Sequence, residues 1–261
     1  ALVHDIGHGP LSHLFEDAIA GSPHHEEWTT RIIKDPSSEV HRVLAKYDPG
    51  MPERVSSLIH GGHPLSYLAK AVSGTLDVDR ADYLLRDAHA TGVRYGLFDL
   101  DWLLRSLRFT PATEGASPGL AIDGAKGLPA IEGFLLARLF MFQQVYLHKA
   151  TRSAEWMIRT ALSKVGELLA EGHKLAGVPN AMMCGAQGAE IPLEDYIAMD
   201  DGVLGVALQA WEGEKEPGLS DLSARIRTRA LYKSYELFGD LATFEGKREA
   251  LAVAQDIAKQ K

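Results

Sequence analysis

His4, Asp5, His8 and His13 gather metal-binding and proton-carrying side chains within the opening run Ala1-Leu2-Val3-His4-Asp5-Ile6-Gly7-His8-Gly9-Pro10-Leu11-Ser12-His13. An adjacent His-Asp pair offers a neutral nitrogen and an anionic oxygen, the ligand mix that divalent Mg, Mn, Fe or Zn accepts. Gly7 is predicted to end one helix at positive φ, and Gly9-Pro10 to open the next with proline at its first position. From these residues alone two readings stay open: a metal corner, or a histidine-rich helix–helix turn with nothing bound.

Three further groups could take part. In Leu76-Asp77-Val78-Asp79-Arg80-Ala81-Asp82-Tyr83-Leu84-Leu85-Arg86-Asp87, helical geometry puts Asp79, Tyr83 and Asp87 within about 80° of one another. One stripe then carries carboxylate, phenol and carboxylate, while Leu76, Leu84 and Leu85 point elsewhere and can bury. The alternative is a solvated face held by pairs such as Asp82 with Arg86. The second group lies in Ile131–Lys149, which is apolar almost all round and so reads as a buried helix. Arg138 is out of place there, because a buried guanidinium needs a partner. On a continuous helix Lys149 returns to within about 20° of Arg138 and about 16 Å along the axis. The pair suits an extended anion such as a triphosphate, or two structural salt bridges to the acidic stripe. The third group, His24-His25-Glu26, reads equally as the start of a surface helix.

The elements that must position these groups are almost all helical. Apolar spacing and breakers predict helices near Leu11–Ile19, His24–Ile33, Ser38–Lys46, Pro52–His60, Pro64–Val72, Leu76–His89 and Leu100–Leu107. Residues 108–127 change composition and read as a short β-hairpin excursion, with strands near 107–123. Leu128–Leu169 is predicted as one long helix broken near Gly166. Gly172–Gly188 reads as a loop-rich connection, and Glu190–Glu212 and Ser220–Phe238 as further helices.

Composition narrows the function classes. The chain has 261 residues, 46% of them apolar, which is enough for a substantial core. Its net charge of −8 argues against a dedicated nucleic-acid or anionic-membrane binder. Cys184, the single cysteine, leaves no intrachain disulfide and no thiolate zinc site, which fits a reducing cytoplasm. No run of about 18 apolar residues reads as a membrane span, and no basic-then-apolar leader is expected.

Taken together, His4-Asp5-Ile6-Gly7-His8-Gly9-Pro10-Leu11-Ser12-His13, His25-Glu26 and Asp77-Val78-Asp79-Arg80-Ala81-Asp82-Tyr83 resemble the HD-domain metal-dependent phosphohydrolases. Within them the chain is most similar to the deoxynucleoside triphosphate triphosphohydrolase branch, with Arg138 and Tyr146-Leu147-His148-Lys149 also matching. The resemblance covers roughly residues 1–159 well and continues loosely to Arg229. It implies an all-α HD-domain helical bundle that converts a (deoxy)nucleoside triphosphate to nucleoside and inorganic triphosphate. It implies His4, Asp5 and Asp79 as ligands of a divalent metal. His8, His13 and His25 would surround the scissile phosphate, with His13 or His25 moving the proton and Glu26 orienting a histidine. Arg80, Arg138 and Lys149 would meet the phosphates, Tyr83 and Asp87 the sugar, and His148 would also bind substrate.

Another HD phosphoesterase, acting on a monophosphate, cyclic or alarmone nucleotide, is the alternative. A non-catalytic nucleotide-binding module is a third. The resemblance also implies a homo-oligomer, with a nucleotide effector in some members. The family's metal site includes a histidine upstream of the His-Asp pair, so residues 1–170 are expected to be an HD core lacking its N-terminal part. Residues 171–238 are expected to pack on that core as a helical C-terminal part, and 239–261 to form a tail or the start of a further unit.

Overall fold

The structure, a computed structural model, describes residues 2–18, 23–63, 66–111, 118–234 and 237–259. Its first half runs through α1 (His13–Ala18), α2 (His25–Lys34), α3 (Glu39–Tyr47), α4 (Met51–Ile59), α5 (Ser66–Val72), α6 (Val78–Thr91) and α7 (Leu100–Arg105). A two-stranded antiparallel hairpin follows, β1 (Leu107–Thr110) paired with β2 (Gly119–Ile122) in the register Leu107 to Ile122. The second half comprises α8 (Leu128–Met141), a π-helical turn (Phe142–Tyr146), α9 (Lys149–Ala170), α10 (Asn180–Ala186), α11 (Leu193–Ile197), α12 (Asp201–Trp211) and α13 (Pro217–Arg227). A 3-10 turn (Gly239–Ala242) and α14 (Phe244–Lys259) complete the described chain. The architecture is all-α with one hairpin excursion, as the periodicity predicts. Among the described residues no helix is long and apolar enough to cross a membrane.

Among the described residues, two apolar cores hold most of the helices. The larger is centred on α9, whose Met157, Ala161, Leu162 and Val165 are buried against Phe15 of α1, Trp28 of α2, Met182 of α10, Trp211 of α12 and Leu219 of α13. Trp28 stacks on Tyr196 of α11, ring centroids 3.7 Å apart. Residues far apart in sequence therefore share one core, and the opening motif is anchored through Phe15 and Trp28. The smaller core joins Leu84 and Ala88 of α6, Leu103 of α7, and Ala130, Phe134 and Met141 of α8. It sets the orientation of α6, and with it of Asp79, Tyr83 and Asp87.

The backbone departs from the sequence expectations at several points. The opening turn does not run from a Gly7 helix end to a Gly9-Pro10 helix start. Leu11 (φ 61°) and Ser12 (φ 55°) take the left-handed conformation instead, and α1 starts only at His13. The helix expected over 128–169 breaks after the π-helical turn, well before Gly166. His148 is extended there (ψ 137°), and its Nδ1 accepts the Ala150 N–H, capping α9. This break separates Arg138 from Lys149, so the two do not share one face of a continuous helix. α8 is not buried all round either: Leu135 and Leu136 are each 50% exposed, and Leu139 48%. The 172–188 connection contains α10, and residues 228–234, expected to be helical, lie beyond the end of α13.

Candidate functional site

Glycine packing draws the opening turn onto α2. A Cβ on Gly7 would sit 2.1 Å from the His25 carbonyl and 2.3 Å from the Thr29 nitrogen, so only glycine lets the two backbones approach this closely. Three hydrogen bonds fix the approach. Gly7 N–H donates to Thr29 Oγ1 (3.0 Å), the Thr29 hydroxyl donates to the His4 carbonyl (3.2 Å), and the Tyr196 hydroxyl donates to the Gly7 carbonyl (2.7 Å). Leu11 N–H is held by the Asp201 carboxylate at 3.0 Å. Burial, aided by the Glu16 charge, pushes the Tyr196 phenol up to about 12, so it stays a donor.

α6 brings the remaining metal-type ligand. Asp77 caps the helix: its buried carboxylate accepts from Arg80 N–H (2.7 Å) and Gly74 N–H (2.8 Å). The Arg80 guanidinium folds back onto Asp77 and the Gly74 carbonyl. Asp79, in the first turn of the helix, then meets the opening turn. His4 Nε2 lies 3.2 Å from Asp5 Oδ2 and 3.7 Å from Asp79 Oδ1. Burial pushes the Asp79 carboxyl up, against the pull of His4 and with repulsion from Asp5 and Asp77. One imidazole and two carboxylates, their ligand atoms all within 4.8 Å of one another, form a donor set that fits a divalent cation.

A second group lies beside the first. Glu16 of α1 is the centre of a histidine cluster: its carboxylate lies 2.7 Å from His25 Nδ1, 3.4 Å from His8 Nδ1, 3.5 Å from His24 Nε2 and 3.6 Å from His13 Nδ1. His8 and His25 stack with centroids 3.9 Å apart, and His13 meets both edge-on. Burial favours the neutral form of Glu16, but His25, His24, His13 and His8 outweigh it and hold the carboxyl below its ordinary range. Burial pushes the His8 imidazole down, and neighbouring His25 adds to this. Both groups line one cavity of about 190 Å³, bordered by His4, Asp5, His8, His13, His25, Glu26, Asp79 and Arg80. A larger, mostly apolar cavity of about 640 Å³ lies across Ser73 and Asp77, walled by Leu76, Leu103, Leu107 and Ile122. The chemistry-bearing side chains are in the smaller one.

The structure thus brings together His4, Asp5 and Asp79, and separately His8, His13 and His25. Glu26 stands exposed at the cavity rim with no ion pair to a described residue. The carboxylate that engages the histidines is Glu16, which the sequence reading passed over. The signal for it was the His13–Glu16 spacing of three on one helix face.

Farther along α6, the Tyr146 hydroxyl donates to Asp87 Oδ2 at 2.8 Å, and Tyr83 meets Tyr146 edge-on. Burial, together with the Asp87 hydrogen bond, pushes the Tyr146 phenol far up. Burial raises Tyr83 as well, against the nearby Arg138 charge. Arg138 is half-buried over the Phe142 ring and makes no ion pair with a described residue. Asp82 and Arg86 form the solvated pair expected of them, 2.8 Å apart. His148 and Lys149 sit at the exposed start of α9.

The model of the HD associated region matches residues 98–178. The crystal structure of a phosphohydrolase from Bacteroides thetaiotaomicron superposes with a TM-score of 0.76 at 31% identity, over 98% of this chain and 62% of that one. This chain is related to the HD-type phosphohydrolases. The uncharacterized protein YwfO of Bacillus subtilis is 36% identical over 236 residues, 90% of this chain and 52% of the relative. The deoxynucleoside triphosphate triphosphohydrolase SAMHD1 homolog of Dictyostelium discoideum is 29% identical over 272 residues, 99% of this chain and 47% of the relative. The chain spans about half the length of these curated relatives. The matched HD associated region runs from just before α7 through the hairpin and α8 into the loop after α9, so it contains Arg138 and Tyr146.

Proposed function

We propose that this HD-type chain is a metal-dependent phosphohydrolase that cleaves a (deoxy)nucleoside triphosphate to nucleoside and inorganic triphosphate. One observation carries the triphosphate reading. Arg138 of α8 is a half-buried guanidinium with no carboxylate partner among the described residues, set next to Tyr83 of α6, the helix whose first turn carries Asp79. A cation withdrawn from water without an anion is matched by a ligand that brings one. The relative named as a triphosphohydrolase supports the same substrate class.

His4, Asp5 and Asp79 would hold the metal, which when bound supplies Lewis acidity at a phosphoryl oxygen and acidifies a coordinated water. Attack of water on the α-phosphorus breaks its bond to the 5′-oxygen, and that oxygen leaves with the nucleoside and needs a proton. His13 or His25 is placed to deliver it, with the Glu16 carboxylate stabilising the protonated ring. Arg138, and the N–H groups of Arg80 not turned to Asp77, neutralise charge on the phosphate oxygens. From Asp79 to Asp87 the stripe on α6 extends about 12 Å, the span of a nucleotide rather than of a phosphate alone. Tyr83 would pack on the sugar, and Asp87, with one oxygen held by Tyr146, would accept a sugar hydroxyl through the other.

We also propose that the chain acts as a homo-oligomer, its subunits meeting on α8. Leu135, Leu136, Leu139 and Phe140 leave an apolar face exposed there on a single chain. The deciding experiment incubates the Mn²⁺- or Mg²⁺-loaded protein with single deoxynucleoside triphosphates and identifies the anion released. Inorganic triphosphate is the expected product. Pyrophosphate, orthophosphate or no product would sink the reading.

A further inference from the structure

We propose that the Glu16 cluster is itself a cation site, separate from His4–Asp5–Asp79, that takes a transition metal of the zinc class through His8, His13, His25 and Glu16. The ligand-type atoms of these four residues lie within 4.8 Å of one another. The spacing from the carboxylate, 2.7 Å to His25 Nδ1, 3.4 Å to His8 Nδ1 and 3.6 Å to His13 Nδ1, brackets the separation of about 3.4 Å between ligands on a tetrahedral zinc. Three imidazoles and one carboxylate are a nitrogen-rich set, softer than the first triad, and suit zinc over magnesium.

A second observation points to a missing ligand. His8 Nδ1 and His25 Nδ1 are buried and have no hydrogen-bond partner among the described residues. His25, only 8% exposed, approaches Glu16 closely but off the hydrogen-bonding direction. Buried polar atoms that converge on one carboxylate without bonding to it are unsatisfied in a metal-free protein. The Glu16 carboxylate already accepts the His25 backbone N–H at 3.1 Å, and a cation among these groups would satisfy the two ring nitrogens that the carboxylate leaves unbonded. The two sites share no ligand, so each can be emptied alone. For turnover the consequence rests on the reading above: a metal here takes His13 and His25 out of proton transfer, so a second equivalent inhibits.

The test measures bound metal and needs no hydrolysis. Equilibrium dialysis of the 261-residue chain against Zn²⁺ alone is expected to give two equivalents for the wild type. The Asp5→Ala/Asp79→Ala double variant should keep one. Adding His13→Ala to that double variant is expected to weaken the remaining equivalent at least tenfold, and adding Glu16→Gln to abolish it. His13 carries a side chain that is 71% exposed, so its variant tests the site even if the Glu16 variant misfolds. With Co²⁺ in place of Zn²⁺, the same arms read the imidazole ligands as visible absorption bands. A wild type that binds one equivalent, or a second equivalent that survives His13→Ala unchanged, overturns the proposal. Because the readout is stoichiometry, a protein that hydrolyses no nucleotide would fail the functional reading and leave this result intact.

Discussion

Between His4 and His13 the chain compresses its chemistry into a turn clamped by Thr29, Tyr196 and Asp201, whereas between Tyr83 and Lys149 it spreads related chemistry over α6, α8, a π-helical turn and the start of α9. The first wall has ligand atoms within 4.8 Å of one another and packs with so little slack that Gly7 admits no Cβ. In the second wall, the Tyr146 to Asp87 hydrogen bond and an edge-on pair of phenols do the positioning, and Arg138 has no anionic partner among the described residues. The difference matches the tasks proposed for them. Metal ligands must be held to a few tenths of an ångström, while a wall that accepts an extended nucleotide can rely on a few fixed anchors.

The comparison breaks most sharply at Asp79, where the two walls join. Asp79→Ala removes one of two carboxylates from the triad and is expected to lower metal-dependent hydrolysis by about 10³-fold, the scale of losing several kcal/mol of metal-derived stabilisation. The helical circular-dichroism signal should stay, since Asp77, not Asp79, caps α6. An Asp79→Ala variant with ordinary turnover and full metal content would remove the residue from the site.

Arg138→Ala comes next. Charge-assisted hydrogen bonds contribute about 1.5–3 kcal/mol, so triphosphate binding should weaken by about 10- to 100-fold while nucleoside binding changes little. Isothermal titration with a non-hydrolysable triphosphate and with the nucleoside separates the two. Equal losses would make Arg138 a packing residue over Phe142.

The first wall was legible in sequence for the reason that makes it rigid. His4, Asp5, His8 and His13 lie within one short turn, so residue type and spacing nearly determine that they gather, whereas the periodicity of α6 places Asp79 only on a stripe with Tyr83 and Asp87, and it was the family resemblance that tied Asp79 to His4 and Asp5. What the pattern could not show depends on tertiary approach. Glu16 reads as an ordinary acid near a helix start; only the tertiary placement of α1, which packs on α9, sets it beside His8, His24 and His25. Gly7 was expected to serve a left-handed turn and instead makes room for α2, a demand no local signal carries. The second wall failed for a different reason. Tyr146-Leu147-His148-Lys149 contains neither proline nor glycine, so nothing in its composition announces that His148 will cap a new helix with its ring nitrogen. The apolar surround of α8 was read as burial in a core. A helix that meets a second copy of the chain carries the same pattern.

Smaller effects sharpen the second wall. Tyr146→Phe deletes one hydrogen bond, about 0.5–1.5 kcal/mol, and leaves Asp87 free to rotate. The Michaelis constant for the nucleotide should rise roughly 2- to 10-fold with little change in the inorganic product released. A fall in turnover at constant Michaelis constant would instead place Tyr146 at the reacting phosphate.

Lys149→Ala asks whether the second wall ends at the helix break. On a continuous helix Lys149 would join Arg138 against the same triphosphate, and its loss would cost as much as that of Arg138. The observed break puts it at the first position of α9, exposed, with its carbonyl accepting from Ser234. A solvated ammonium interacts with an anion through water, at about 0–1 kcal/mol, so triphosphate affinity should fall by less than about 5-fold, and by less still at high salt. Because the His148 cap and the α9 backbone are untouched by the substitution, thermal stability should not move. A loss matching that of Arg138→Ala would mean that binding nucleotide re-forms the 147–148 segment and draws α9 toward α8. In that case the anchors of the second wall are assembled by the substrate rather than waiting for it.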